Sequence, residues 1–406
     1  MHQCRICKGS YESFISFGKM PIANGFLRSE EFGKEYFFEL ATGFCPKCGM
    51  VQLIDQPNRD MMFHENYAFF SSTSSFMKQH FKEFAELIMQ DIRQKSHPFV
   101  MEIGSNDGIM LQNFAKAKIR HLGIEPSANV AKVAIENGID TISEFFDEQL
   151  AEKIKAKYGQ ADAIVAANVM CHIPTIHSVV EGYRILLKPD GIIMFEDPYL
   201  GDIIENTLYD QIYDEHVFLF SVASIGYLFG EHGMEIVDVI PQTTHGGSMR
   251  YVIAHKGARK ISQRVIDQQE KEKQLGLHLP QTYMQFRKNV ENSRDELVQL
   301  LKDIKKQGKR VVGYAATSKS TTINNYCGIT SELVEYISDT TPIKQGKFSP
   351  GTHIPVKAYE NFKNNYPEYA LLYAYNHSKE IMAKEQDFMA KGGKWITYVP
   401  KVGVLG

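Results

Sequence analysis

Two cysteine pairs, Cys4-x2-Cys7 and Cys45-x2-Cys48, carry the sharpest chemical signal in this sequence. Each pair offers two thiolates to one ion, and two such pairs complete a closed tetrahedral site. Gly49, directly after the second pair, permits a turn that aims backbone amides at sulfur. Four thiolates leave no open coordination position, so the ion expected is a structural Zn2+. The 37 residues between the pairs exceed what a minimal zinc ribbon needs, so a small subdomain is inserted. Cys171 and Cys327 read as buried, apolar-like residues.

The second signal is FVMEIGSNDG, residues 99–108, a strand that runs into a glycine-rich turn and then a helix. It places Glu102, Gly104, Asn106, Asp107 and Gly108 where a backbone can approach a ligand closely and helix amides can meet its carboxylate. The pattern E-x-G-x-x-x-G resembles the first motif of class I methyltransferases, which cradles the methionine part of S-adenosylmethionine. A dinucleotide fold could supply such a turn as well, and the next strand decides between them. It ends in Glu125, about twenty residues on, where an acidic side chain would hold two ribose hydroxyls. Phe145 and Phe146 follow where adenine should stack, with core packing the alternative for one of the two, and Asn168 ends the next strand beside the methyl donor.

The third signal is a concentration of polar residues in apolar text: NVMCHIP (168–174), QIYDEHVFLFS (211–221) and THGGSMR (244–250). Tyr213, Glu215 and His216 come shortly after the strand bearing Glu196 and Asp197, at the carboxyl end of the parallel strands, where an acceptor pocket is expected. A histidine of near-neutral pKa with a carboxylate neighbour suits proton abstraction, and His172 and His245 accompany it.

The elements that must position these residues follow from hydrophobic patterning. Residues 1 to about 56 read as compact and irregular, and 60–95 as mostly helical, with Phe76, His80, Phe81, Phe84, Leu87 and Ile88 near helical spacing. Strands at 99–104, 120–126, 161–169 and 191–198 alternate with helices around 127–137, 147–158 and 176–187, which implies a parallel α/β sheet. Residues 235–242 and 249–256 look like antiparallel additions. The polar stretch 257–308 reads as helix, with one apolar stripe from Phe286 to Ile304 and a terminating Gly308. Strands at 310–315, 332–339, 369–376 and 394–399 then restart a βα pattern as a second, smaller Rossmann-like unit. The expected domains are 1–60 (zinc-binding), 61–256 (methyltransferase with leading helices), 257–308 (connecting helices) and 309–406 (C-terminal Rossmann-like). No strong internal repeat is visible.

Composition sets the outer bounds. With 45 basic and 48 acidic residues the net charge is −3, which argues against a broad nucleic-acid or membrane footprint. No apolar run reaches the ~20 residues of a membrane span and no secretory signal opens the chain, so the expectation is a cytoplasmic protein, acting as a monomer.

NYAFFSSTS (66–74), EIGSNDG, YDEHVFLFS, THGGSMR and KFSPGTHIPV (347–356) together resemble the nucleotide-sugar C3- and C5-methyltransferases of deoxysugar biosynthesis, nearly end to end. The resemblance implies a zinc-binding N-terminal domain, a central class I S-adenosylmethionine domain and a C-terminal Rossmann-like domain that binds the nucleotide-sugar. The implied substrate is a nucleotide-linked 4-keto-6-deoxysugar, carried on TDP or alternatively GDP. It implies His216 as base, with Tyr213, Glu215, His172 and Tyr67 around the sugar, and His245 and Arg250 on the substrate. GYAATSKSTTINNYCGI (313–329) resembles the family's G-x-x-A-x-x-K loop, which puts Lys319 near the nucleotide phosphates.

The chemistry agrees with this inventory. A carbon beside a ketone becomes nucleophilic once its proton leaves, which requires a base and a hydrogen-bond donor toward the carbonyl oxygen. The reading is that His216 takes the proton from C3, oriented or charge-stabilised by Glu215, while Tyr213 or His172 stabilises the enolate. The alternatives are a zinc-containing methyltransferase acting on RNA, a non-catalytic nucleotide-sugar-binding protein, or an oxidoreductase using either Rossmann-like unit. The loop at 313–320 lacks G-x-G-x-x-G, which weakens the last.

Overall fold

The N-terminal segment, expected to be irregular, forms a sheet. The computed structural model of the chain describes residues 1–62 and 75–406. Strands β1 (His2–Gln3), β2 (Ser10–Pro21), β3 (Phe37–Phe44) and β4 (Val51–Leu53) pair in antiparallel order. The glycine punctuation hid a 12-residue strand, β2, because its register on β3 is broken by bulges that disturb the period-2 pattern. Its apolar face (Phe14, Ile15, Phe17, Met20) is buried against Tyr283, Phe286 and Val290 of the long helix Pro280–Lys306.

The central sheet contains β5 (Phe99–Ile103), β6 (Arg120–Ile124), β7 (Thr141–Ile142), β8 (Ala161–Ala167) and β9 (Leu187–Pro198), all parallel. All five residues of β5 are buried, as expected of a strand covered on both faces. After β10 (Phe218–Leu219), which leaves this sheet to pair with β4, β11 (Met234–Gln242) and β12 (Ser248–His255) complete it. Its order is β11-β12-β9-β8-β5-β6-β7, with β12 antiparallel to both neighbours.

The stretch 257–308 is two helices, Gln263–Gln274 and Pro280–Lys306. The first packs on β11 and sends Glu272 inward to accept hydrogen bonds from the amides of Val222 and Ala223, at 2.6 and 3.0 Å. The second shares one apolar cluster with β2, β13 and β14, so it clamps sheets as well as connecting them.

The third sheet, β13 (Val311–Tyr314), β14 (Ile337–Asp339), β15 (Val356–Ala358), β16 (Tyr369–Leu372), β17 (Lys394–Thr397) and β18 (Gly403–Leu405), has the order β15-β14-β13-β16-β17-β18. Both α/β sheets thus wind outward from a first strand, return beside it, and leave a crevice at the switch. They also repeat one detail. Glu125, just past β6, accepts from the amides of Asn106 and Ser127; Asp339, ending β14, accepts from those of Ala316 and Thr341. In each case the second strand's carboxylate holds the first strand's loop. Topology repeats here where sequence does not.

Candidate active site

The zinc ligands are assembled first. Cys4 and Cys48 Sγ lie 3.6 Å apart, Cys7 and Cys45 Sγ 3.4 Å apart, and all four converge. A tetrahedron with Zn–S bonds of about 2.3 Å has edges of roughly 3.8 Å, so the set fits one ion. Gly49 sits at φ +72°, and the amides of Ile6 and Gly9 point at the sulfurs of Cys4 and Cys7, both at 3.4 Å. Gln52 donates to Cys4 Sγ at 3.0 Å.

The cofactor loop crosses the carboxyl edge of β5. Gly104 has φ +68°, and a Cβ there would lie 2.3 Å from Val169, so only glycine lets the loops after β5 and β8 approach. Asn106 also has positive φ, and its amide is fixed by Glu125 at 3.0 Å. Glu102 is buried, and burial followed by the charges of Glu125 and Asp107 raises its carboxyl well above the usual range. Glu102 Oε2, Ser105 Oγ and Asn168 Oδ1 are buried without hydrogen-bond partners among the described residues. Clustered carboxyls and orphaned polar atoms at one crevice fit a ligand with cationic and hydroxyl groups, as S-adenosylmethionine has.

Of the two aromatic residues, Phe146 does not reach that crevice. It is 6% exposed and packs on Tyr183 with ring centroids 5.6 Å apart, so it belongs to the core. Phe145 is half-buried.

The acceptor cluster centres on His216. Its Nδ1 is 2.7 Å from the Gln211 carbonyl and its Nε2 2.8 Å from the Tyr213 hydroxyl. A carbonyl can only accept, so Nδ1 carries the proton and the Nε2 lone pair accepts from Tyr213. Burial, with His172 next to it, pushes the His216 pKa well below the usual value and keeps the ring neutral. His172 stacks on His216 with centroids 5.3 Å apart, and burial pushes it down to about 4. Tyr213 and His172 are half-buried, and His216 is buried.

Three residues are held differently from the expectation. Glu215 does not orient His216 by a hydrogen bond: both ring nitrogens are engaged by Gln211 and Tyr213, and its carboxylate accepts from Asn24 Nδ2 at 2.7 Å. Arg250 is not presented to a substrate. It is 3% exposed, donates to Glu196 at 2.7 and 3.1 Å and lies over the Phe84 ring. His80, buried on its helix as its spacing predicts, meets Glu196 at 2.9 Å. Lys319 is 7% exposed, with its ammonium on the His245 carbonyl at 3.4 Å and facing Asp210, rather than on an open phosphate cradle. His245 itself has φ +57°, is partly exposed, and is pushed down to about 3 by burial and by Lys319. Tyr67 lies outside the described residues.

Glu196 holds the rear wall. Burial alone would raise its carboxyl, yet His80, Arg250 and Thr244 bring it down to about 2. Sequence reasoning missed Gln211, Asn24, Thr244 and Lys344 as members of this neighbourhood. Gln211 and Thr244 fall inside polar runs already singled out, whereas Asn24 meets Glu215 across 191 positions with no local signal.

The β5–β9 order, the inserted antiparallel β12 and the acidic glycine loop define a class I S-adenosylmethionine-dependent methyltransferase. Family models match the chain in sequence: a zinc binding domain at residues 4–63, a methyltransferase domain at 73–239, and a C-methyltransferase C-terminal domain at 243–400. The chain is 32% identical over 406 residues to the C-methyltransferase NovU of Streptomyces niveus, covering 99% of this chain and 96% of that protein. It is therefore a member of the C-methyltransferase family, an enzyme with S-adenosylmethionine as cofactor and zinc in its four-cysteine site. A ubiquinone biosynthesis O-methyltransferase of Actinobacillus pleuropneumoniae serotype 5b (strain L20) is 28% identical over 156 residues, 35% of this chain and 64% of that one. Among solved structures, the magnesium protoporphyrin IX methyltransferase ChlM of Synechocystis PCC 6803 with bound SAH overlaps 44% of this chain and 83% of its own. Its TM-score is 0.35 at 13% identity. Among the described residues no helix is long and apolar enough to cross a membrane.

Proposed function

We propose that this enzyme methylates the carbon next to the ketone, C3, of a nucleotide-linked 4-keto-6-deoxysugar. The observation that carries the reading is the Tyr213–His216 pair, whose tautomer leaves a lone pair on Nε2 with a phenol hydroxyl beside it. A ketosugar oxygen entering next to Tyr213 would replace His216 as acceptor of the Tyr213 hydroxyl. Nε2 is then free to take the proton from the adjacent carbon, and the same hydroxyl stabilises the enolate oxygen. The negative charge on that oxygen offsets the cost of charging a buried imidazole. When bound, S-adenosylmethionine supplies an electrophilic methyl group on sulfur. In this reading Glu102, Gly104, Asn106, Asp107, Gly108, Glu125, Phe145 and Asn168 would hold it. His172 keeps the His216 ring in place by stacking, and Glu196 with Arg250 fixes the wall behind.

The sugar assignment rests on the sequence motifs that resemble deoxysugar C-methyltransferases, together with this acid–base arrangement. The test is incubation with S-adenosylmethionine and a panel of TDP- and GDP-linked 4-keto-6-deoxysugars, followed by NMR of the product. A new methyl signal on C3 is expected; methylation on oxygen, or on no member of the panel, would overturn the reading.

A further inference from the structure

Residues 23 and 24, just past β2, lie far from the zinc ligands in sequence and reach deep into the acceptor region. The Ala23 amide donates to both oxygens of Asp214, at 3.2 and 3.3 Å, and the Ala23 carbonyl accepts from Thr321 of the helix Ser318–Cys327 at 2.8 Å. Asn24 Nδ2 donates to Glu215 Oε1 at 2.7 Å. A loop of the zinc-binding region is thus clasped between the 214–215 turn of the methyltransferase unit and a helix of the C-terminal unit.

The C-terminal unit adds a cation. Lys344 donates to the Ala316 carbonyl at 2.8 Å, lies 4.9 Å from the Phe26 ring, and faces both Asp339 and Glu215. Glu215 is 4% exposed, and the groups that bear on it are few. Burial pushes its carboxyl up to about 7, against Asn24 and Lys344, which favour the ionised form, while Asp214 beside it and the Cys171 thiol across from it share its surroundings.

We infer that Asn24 and Lys344 are positioning residues that set the charge and orientation of Glu215, so that the acceptor pocket is complete only when all three structural units are docked. This assigns the zinc-binding region a task in the reaction beyond its own folding. It rests on the reading of the 213–216 turn as part of the acceptor pocket.

The physical consequence is directional. A hydrogen bond donated to a carboxylate, or a cation facing it, stabilises the charged form, so removing either makes the carboxyl hold its proton to higher pH. The experiment is an infrared titration of the zinc-loaded enzyme, with the Glu215→Gln variant subtracted to isolate one carboxyl. Asn24→Ala and Lys344→Met should each move its midpoint upward by about one pH unit. Asn24→Asp, which adds a second carboxylate, should move it further, and Lys344→Arg should restore it. In kinetics, the first two variants should raise KM for the sugar acceptor about tenfold while S-adenosylmethionine affinity holds. An unmoved midpoint, or a parallel loss of cofactor affinity and zinc, overturns the inference. If the midpoint moves while wild-type enzyme methylates no ketosugar, the substrate reading fails and the positioning role stands.

Discussion

The Tyr213 hydroxyl lies 2.8 Å from His216 Nε2, and the opposite ring nitrogen lies 2.7 Å from the Gln211 carbonyl. One main-chain acceptor therefore decides which nitrogen of His216 is basic, and the Tyr213 hydroxyl donates to that nitrogen. His216→Ala should abolish methyl transfer while cofactor affinity, read by calorimetry, changes less than about twofold. Tyr213→Phe should lower kcat by about 10²-fold, the usual scale for losing one acid–base or oxyanion partner. Turnover surviving in His216→Ala would sink the assignment of the base.

Burial holds both stacked imidazoles neutral, with His172 pushed down to about 4. The unfolded chain takes up a proton near the ordinary value of 6.5, so below that pH it binds protons that the folded state refuses, and stability falls as pH falls. For His172 this costs about 2 kcal/mol at pH 5. Ring-nitrogen NMR should show no titration of either residue between about pH 5.5 and 8. His172→Gln should lose about 2 kcal/mol less stability than wild type between pH 7 and 5.

Glu196 acts with the same sign, in a lower pH window. His80, Arg250 and Thr244 outweigh its burial and depress it from 4.5 to about 2, so its contribution is complete above about pH 5 and disappears as pH falls toward 2. Replacing one member of a buried pair leaves the other uncompensated. Glu196→Gln should cost about 3–5 kcal/mol in urea unfolding at pH 7 and much less at pH 3. A pH-independent difference would show that the ion pair is not its source.

Zinc stands apart from the proposed proton transfer, yet its loss should stop the enzyme. The thiolates hold the turns that launch β2 and β4, and the loop after β2 reaches Asp214 and Glu215. Cys45→Ser or chelation should remove about one zinc per chain and reduce methyl transfer in step with metal content. Full activity in zinc-free protein would contradict this.

Gly104→Ala tests the cofactor loop. The added Cβ meets Val169 at 2.3 Å on a backbone with φ +68°, so the loop must shift away from β8. Cofactor Kd should rise at least about tenfold, with a loss of about 1–3 kcal/mol in stability from the strained conformation. Unchanged affinity in calorimetry would show that the loop does not contact the ligand.

How much of this was legible in the chain differs by element. The βα alternation from residue 99 onward was readable because buried parallel strands appear as short apolar runs between amphipathic helices. The four cysteines and the acidic glycine loop were readable because their chemistry is local: ligands two residues apart, or a turn that needs positive φ. The N-terminal sheet was not, since bulges erase the alternation a strand would show.

Sequence alone therefore determined the four-cysteine cluster, the glycine turn after β5 and the presence of His216 and Tyr213 in one turn. Tertiary structure decided what each ionisable group does. Arg250 and His80 turned away to Glu196, Lys319 to the His245 carbonyl, and Glu215 to Asn24 of a distant loop. A buried charge must find a partner, and the partner that packing brings within hydrogen-bond reach is set by three-dimensional neighbours, not by spacing along the chain.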